Sequence, residues 1–390
     1  MSRRTPPLVP RLRPHAESVF AEMSRLALEV GAVNLGQGFP DTDGPAEIKE
    51  VAIAAIGDGR GNQYPPGTGI LELRQAIASH QDRFYGISLD PQTDVVVTTG
   101  ASEAIAATLI ALVDAGDEVV MFEPWFDIYA AAIAIASGKR VAVPMTGPEL
   151  RPNIDALRAA ITPKTRMIIL NSPHNPTGVI FTREELKAVA NIAIENDILV
   201  LSDEAYEHLW FDEHEHIPIS TLPGMFERTI TIGSGGKSFS FTGWKVGWAS
   251  GPRDLIAAVR TARQHLSFVS GGPFQYAMAH GLGLPDQYYR ELRTDLALKR
   301  DLLCGGLEEL GFGVIRPQGT YFATTDVRPL GYTDGLAFCR ELPHKAGVVA
   351  IPHGAFCDDP EVGRPYVRWA FCKRTEVLRE ALDRLRAGLS

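Results

Sequence analysis

Arg166-Met-Ile-Ile-Leu170 runs into Asn171-Ser-Pro-His-Asn-Pro-Thr-Gly178, then into Arg183–Ile194 and Ile198-Leu-Val-Leu201. The first and last runs are short, apolar and unalternating, which predicts strands buried on both faces. The stretch between them predicts a helix, and a strand, a helix and a strand in that order make a βαβ unit. Working outward, Val95-Val-Val97, Glu118–Phe122, Val141-Ala-Val143, Thr229–Ile232 and Val246–Ala249 read as further strands, with helices over Ser102–Val113 and Phe126–Ala136. The fold class is α/β: a large domain over 46–284, built on a mostly parallel mixed sheet between helices. Asp286–Leu310 predicts a helix long enough to bridge two lobes. Short strands around Val314, Tyr321, Val348 and Val367, with helices near Leu336 and Leu378, predict a small α+β domain over 285–390. The segment 1–45 holds one amphipathic helix, Ala16–Val30, expected to dock on that small domain, and residues 1–13 read as a frayed leader.

Composition narrows the function. At 390 residues the chain holds two or three domains or one large one. A net charge of −9 argues against the broad basic surface of a nucleic-acid binder. No apolar run reaches membrane length, and the basic N-terminus lacks the apolar core of a signal peptide. The four cysteines, 304, 339, 357 and 372, form no C-x-x-C pair, which points to reduced thiols in a cytoplasmic protein and to no structural zinc. Asp212-Glu-His-Glu-His216 reads as a solvated loop, so no metal site is expected. Thr231-Ile-Gly-Ser-Gly-Gly-Lys-Ser238 imitates a phosphate-binding NTPase loop, but Thr231 stands where the first glycine belongs, and the acidic strand precedes the lysine.

Chemistry-bearing residues gather at predicted strand ends. Thr99-Gly100-Ala101-Ser102 leaves a strand to open a helix, whose free N–H groups suit an anion, with Ser102 as the expected N-cap. Ser202-Asp203-Glu204-Ala205-Tyr206 and Ser234-Gly-Gly-Lys237 end two further strands; Lys245 follows, and Arg368 lies in Tyr366-Val-Arg-Trp-Ala. In an open α/β sheet ligands bind beyond the carboxyl ends of the strands, where these residues collect.

Together, Asn-x-Pro-His-Asn-Pro-Thr-Gly, Ser-Asp-Glu-x-Tyr and Ser-x-Gly-Lys-x-Phe followed by Gly243-Trp-Lys245 resemble the fold-type I, class I pyridoxal-phosphate aminotransferases. Asn34-Leu-Gly-Gln-Gly-Phe-Pro-Asp41, Asn62-Gln-Tyr64-Pro-Pro-Gly and Gly271-Gly-Pro-Phe-Gln275 narrow the likeness to the kynurenine/glutamine, methionine and actinobacterial succinyldiaminopimelate transaminases. The resemblance implies pyridoxal 5'-phosphate as cofactor and ping-pong transfer of an amino group between an L-amino acid and a 2-oxo acid. It makes Lys237 the amine that bonds the cofactor's aldehyde and then moves a proton, and Asp203 the partner of the pyridine nitrogen. Asn175 and Tyr206 would hold the ring's 3-oxygen, and Phe126 would stack on the ring. Gly100, Ala101, Ser102, Ser234 and Lys245 would cup the phosphate, with Tyr64 reaching it from the neighbouring subunit of a homodimer. Related aspartate enzymes carry Arg where Lys245 stands, so a bidentate contact becomes a point charge. Arg368, aided by the backbone of Gly38, would hold the substrate α-carboxylate.

Each assignment has a structural alternative. Tyr206 and Phe126 read equally as core aromatics, Arg368 as half of an ion pair, and Phe20 as the buried face of helix 16–30. Specificity is expected from Phe20, the Phe39-Pro-Asp41 loop, Trp125 and the partner's 268–274 segment. No second arginine offers itself for a distal carboxylate, and His174 is left out of acid–base work. The substrate expectation is the N-succinyldiaminopimelate type. Its alternatives are a glutamine/methionine/kynurenine transaminase with β-lyase side activity, or an enzyme recruited to an unusual amino acid.

Overall fold

The computed structural model describes residues 8–389. Its centre is an eight-stranded sheet ordered Val95–Thr99, Val246–Ser250, Thr229–Ser234, Leu199–Asp203, Thr165–Asn171, Glu118–Glu123, Lys139–Thr146, Arg151–Pro152. The five strands from 229–234 to 139–146 are parallel. Val246–Ser250 runs antiparallel to both its neighbours, as does Arg151–Pro152 to its one. The sheet is buried on both faces: Val119 and Met121 join one apolar cluster while Val120 and Phe122 join another, as a period of two requires. This is the mostly parallel mixed sheet expected from the sequence; seven strands begin or end within a few residues of their predicted bounds, and the two-residue edge strand Arg151–Pro152 was not foreseen.

Local chemistry sets the helix ends. Arg183–Glu195 starts at a capping box in which Thr182 and Glu185 satisfy each other's backbone N–H. The first helix is Val19–Val30; the Ser18 side chain caps it, and Gly31 closes it in the left-handed conformation. Helices Ala46–Gly57, Leu71–Tyr85 and Gly272–Leu282 pack together over Val95, Val97 and Trp248.

Asp286–Glu309 leads to a four-stranded antiparallel sheet ordered Gly313–Ile315, Phe322–Asp326, Tyr366–Ala370, Ile351–Pro352, with helices Gly335–Ala346 and Thr375–Leu389 alongside. The chain start joins this end: Val33–Asn34 pairs in parallel with Val348–Val349, and Met23 and Ala27 bury against the same cluster. Of the leader expected over 1–13, residues 1–7 lie outside the described residues. From Pro10 to His15 the chain is a 3-10 helix against Ile128–Ile135, where Pro10 and Pro14 fix the backbone in a tight turn held by packing. Among the described residues no helix is long and apolar enough to cross a membrane.

Candidate active site

Parallel strands put their carboxyl ends on one edge, and that edge collects Gly100, Asn171, Asp203 and Ser234. Asn171 is in register with Asp203, and Thr99 and Ser234 pair with Val246 and Gly247. The antiparallel direction of Val246–Ser250 brings its first end, and Lys245, to the same edge. A Cβ on Gly247 would stand 2.5 Å from the Gly100 carbonyl carbon, so only glycine lets the strand pass this close to the helix start.

One cavity is lined by Gly100, Ala101, Ser102, Ser234 and Lys245 at one end and by Phe126, Asn175, Tyr206 and Lys237 at the other. Helix Gly100–Leu112 starts two residues earlier than expected. Thr99 is its cap position, and Ser102 lies in the first turn with its Oγ 3.5 Å from the Lys245 Nζ. The expected capping role for Ser102 is therefore corrected, since Gly100 at φ +72 begins the turn itself. Free N–H groups, two hydroxyls and an ammonium converge here, a donor set suited to a phosphate.

Asp203 is buried at the end of its strand. Its Oδ2 accepts from the Tyr129 hydroxyl at 2.6 Å, its Oδ1 from the Ala205 N–H at 3.1 Å, and its backbone carbonyl from Asn171 Nδ2 at 2.9 Å. Burial pushes this carboxyl up, against the pull of the Tyr129 hydroxyl, the Ala205 N–H and Lys237. Lys237 stands on a single helical turn, Gly235–Ser238, with its Nζ 5.6 Å from the Tyr206 ring centre and 5.8 Å from that of Tyr321. Burial pushes its amine down to about 8, while Asp203 draws it up.

A second cavity continues past Phe126, Asn175, Tyr206 and Lys237 to Gly38, Phe39, Phe20 and Arg368. Arg368 is fully buried. Its guanidinium donates to Asn175 Oδ1 at 2.9 Å and to the Gly36 carbonyl at 2.8 Å, and lies 4.0 Å from the Phe322 ring centre and 5.0 Å from that of Phe20. Its Nε has no partner. None of these contacts is an ion pair. The Gly38 carbonyl is taken by the Tyr321 hydroxyl at 2.8 Å.

Trp125 lines neither cavity; it is buried, with Arg140 5.7 Å from its ring centre. Tyr64 stands apart as well, 82% exposed and edge-on to Phe268 at 5.7 Å. His174 is buried against Thr177, and burial pushes its imidazole down to about 3.

Sequence reasoning missed Tyr129 and Asp127, which look like the opening of an apolar helix; in the 212–216 loop, whose other residues are at least partly exposed as expected, it missed the burial of His216. His216 is buried, 2.9 Å from Glu204 Oε2, because Glu204 points to the back of the sheet while Asp203 faces the cavity. Behind the site His80, Glu207 and His208 bring ligand-type atoms within 4.8 Å of one another. The two imidazole nitrogens are 2.7 Å apart. That is a hydrogen bond, closer than the about 3.3 Å between two nitrogens on tetrahedral zinc.

Residues 30–385 match the family model of class I and II aminotransferases. The chain is 51% identical to the solved N-succinyldiaminopimelate aminotransferase of Mycobacterium tuberculosis, with a TM-score of 0.96 over 98% of this chain and 100% of that one. It is 37% identical to the methionine aminotransferase of Escherichia coli over 97% of this chain and 98% of the relative. It is 38% identical to a kynurenine–oxoglutarate transaminase of Dictyostelium discoideum over 94% of this chain and 93% of the relative. A match over most of the length, on a sheet of the same architecture, places the protein: this chain belongs to the class I and II aminotransferases and is an aminotransferase of the fold-type I architecture.

Proposed function

We propose that the enzyme carries pyridoxal 5'-phosphate and exchanges an amino group between an L-amino acid and a 2-oxo acid, with the N-succinyldiaminopimelate type as its substrate. The observation that carries this reading is Lys237, a half-buried lysine without an ion pair, whose amine feels the Asp203 carboxyl on one side and the Arg368 guanidinium, with its Nε unpartnered, on the other. The cofactor fits that setting. The donors at Gly100, Ala101, Ser102, Ser234 and Lys245 match a phosphate, Phe126 offers a ring face, and Asp203 offers a carboxylate to a protonated ring nitrogen. When bound, the group supplies an aldehyde and an electron sink.

The rest falls to the protein. Lys237 Nζ, held near neutrality of charge by burial, takes the proton from the substrate α-carbon and returns it. Arg368 binds the α-carboxylate through its free edge, and Asn175 fixes the plane of that fork. Phe126, Tyr206 and the Phe20 ring exclude water. Tyr206 and Asn175 also present polar atoms to the ring's 3-oxygen.

The substrate type is supported by the 51% identity to an enzyme of that name over nearly the whole chain. We read the working unit as a homodimer in which Tyr64 completes the phosphate site of the neighbour; its exposure supports this. We divide the chain into a docking segment over 1–45, a cofactor-binding domain over 46–284 and a small domain over 285–390. A cytoplasmic site of action is supported by four unpaired cysteines, three of them buried.

The test is a half-reaction panel that includes N-succinyldiaminopimelate. An amino acid alone converts the absorbance of the bound aldehyde to that of the amine, and a 2-oxo acid restores it. Borohydride trapping followed by peptide mapping labels Lys237; label on another lysine overturns the assignment.

A further inference from the structure

A third cavity, of about 290 Å3, meets Lys237 from another side, between the 40–45 loop and helix Asp286–Glu309. Buried Tyr321 and Cys372 form its inner end, and exposed Thr42 and Asp295 stand at its mouth with Lys299. Lys299 donates to Asp295 at 2.6 Å, and that carboxylate is 56% exposed. Among the described residues, Lys237 alone lines this cavity together with the phosphate-end and substrate-side cavities. Cofactor and substrate would fill those two and leave the third to water, of which it has room for several molecules at about 30 Å3 each. The groups that face the amine from this side cannot store its proton. Burial pushes the Cys372 thiol up to about 11 and the Tyr321 hydroxyl well above its ordinary value, so both keep their own protons at neutral pH. Water is the acceptor that remains, with the Asp295 carboxylate beyond it.

We infer that this third cavity is the proton outlet of Lys237: while cofactor and substrate cover its other sides, the amine that has taken the α-proton exchanges it with water here. The inference rests on the proposed role of Lys237 as the base at the α-carbon. The step balances without a further reactant. Lys237 Nζ gains the α-proton and becomes an ammonium, gives one of its three N–H protons to a cavity water and takes another back. Only the identity of the proton changes. With three equivalent N–H positions, an ammonium cut off from water passes on the original α-proton in roughly one event in three, and one in contact with water in far fewer.

The test follows deuterium through one half-reaction of the holoenzyme in ordinary water. The donor carries deuterium at its α-carbon and is whichever of L-methionine and N-succinyldiaminopimelate converts the cofactor absorbance. Mass spectrometry of the cofactor's amine form then counts the label that Lys237 has carried across. Wild type is expected to fall at least threefold below the limit for an isolated ammonium. Thr42→Trp at the mouth and Leu292→Trp on the helix wall narrow the cavity, and each raises the carried fraction at least twofold while the rate of conversion changes less. Thr42 is exposed, so its variant tests the outlet even where the larger ring at position 292 disturbs folding. A carried fraction unchanged in the folded variants, or a wild type already at the isolated limit, overturns the inference while leaving the aminotransfer reading intact. If no donor converts the wild-type cofactor, the proposed reaction fails instead and takes this inference with it.

Discussion

Lys237 shows what burial does to a single amine. Its proton affinity drops from the ordinary 10.5 to about 8 because the charged form has lost its water and gained no ion pair. The folded pKa is the lower one, so between about 8 and 10.5 the unfolded chain binds a proton that the folded chain has released. The stability contribution is therefore missing below about 8 and grows as pH rises across that window, by about 3 kcal/mol from this group. Urea unfolding of the cofactor-free protein at pH 7.5 and 9.5 checks it: wild type gains on Lys237→Met as pH rises, and parallel behaviour would refute the assignment. Tyr129 works on the other side of the same site. Its hydroxyl donates to the Asp203 carboxyl beside the Ala205 backbone N–H, and hydrogen bonds to charged groups contribute about 1.5–3 kcal/mol. Tyr129→Phe leaves Asp203 readier to hold its own proton. The expected result is a kcat/KM roughly tenfold lower, in line with that energy, together with a displaced pH titration of the bound-cofactor absorbance; a loss of stability alone would mark Tyr129 as merely structural.

At the level of elements, the strand-to-helix corner at Gly100 is the most exacting junction. Its φ is +72, and a Cβ there would lie 3.1 Å from both Cε and Nζ of Lys245. Gly100→Ala strains the corner by roughly 1 kcal/mol or more and displaces the ammonium. We expect cofactor affinity to fall at least tenfold by equilibrium dialysis, with the helix content by circular dichroism unchanged. Strands and helices on the large sheet were legible because parallel strands buried on both faces leave uninterrupted apolar runs, as in Ile168-Ile-Leu170. The strand-end residues Asn175, Asp203, Tyr206 and Lys237 were legible because each sits in a short motif beside such a run; the structure gathers Asn175, Tyr206 and Lys237 along two adjoining cavities and sets Asp203 within the field of Lys237. What stayed hidden has no local period. Tyr129 reaches Asp203 across 74 positions and His80 reaches His208 across 128, and nothing near either residue announces its partner. The burial of His216 was equally unreadable, since Asp212-Glu-His-Glu is as polar as any solvated loop.

For the molecule as a whole, the proposed homodimer is tested at its exposed rings. Tyr64, Phe268 and Phe39 expose 82%, 47% and 45% of their surface, and the first two touch each other. Sedimentation of the purified protein is expected to give twice the 42.4 kDa chain mass. Tyr64→Ala is expected to weaken cofactor binding while the dimer persists; a monomer that binds cofactor with full affinity would end the shared-site reading.

The pairing of Val33–Asn34 with Val348–Val349, and the reach of Arg368 to the Gly36 carbonyl, also govern how the protein is made. Every strand of the eight-stranded sheet has been synthesised by residue 250. Val33–Asn34 meanwhile has no strand to pair with until about a hundred further residues have emerged. A chain that stops before Val348 lacks both the strand that Val33–Asn34 pairs with and the guanidinium that reaches the Gly36 carbonyl, so its leading segment loses the two ties that hold it to the small sheet.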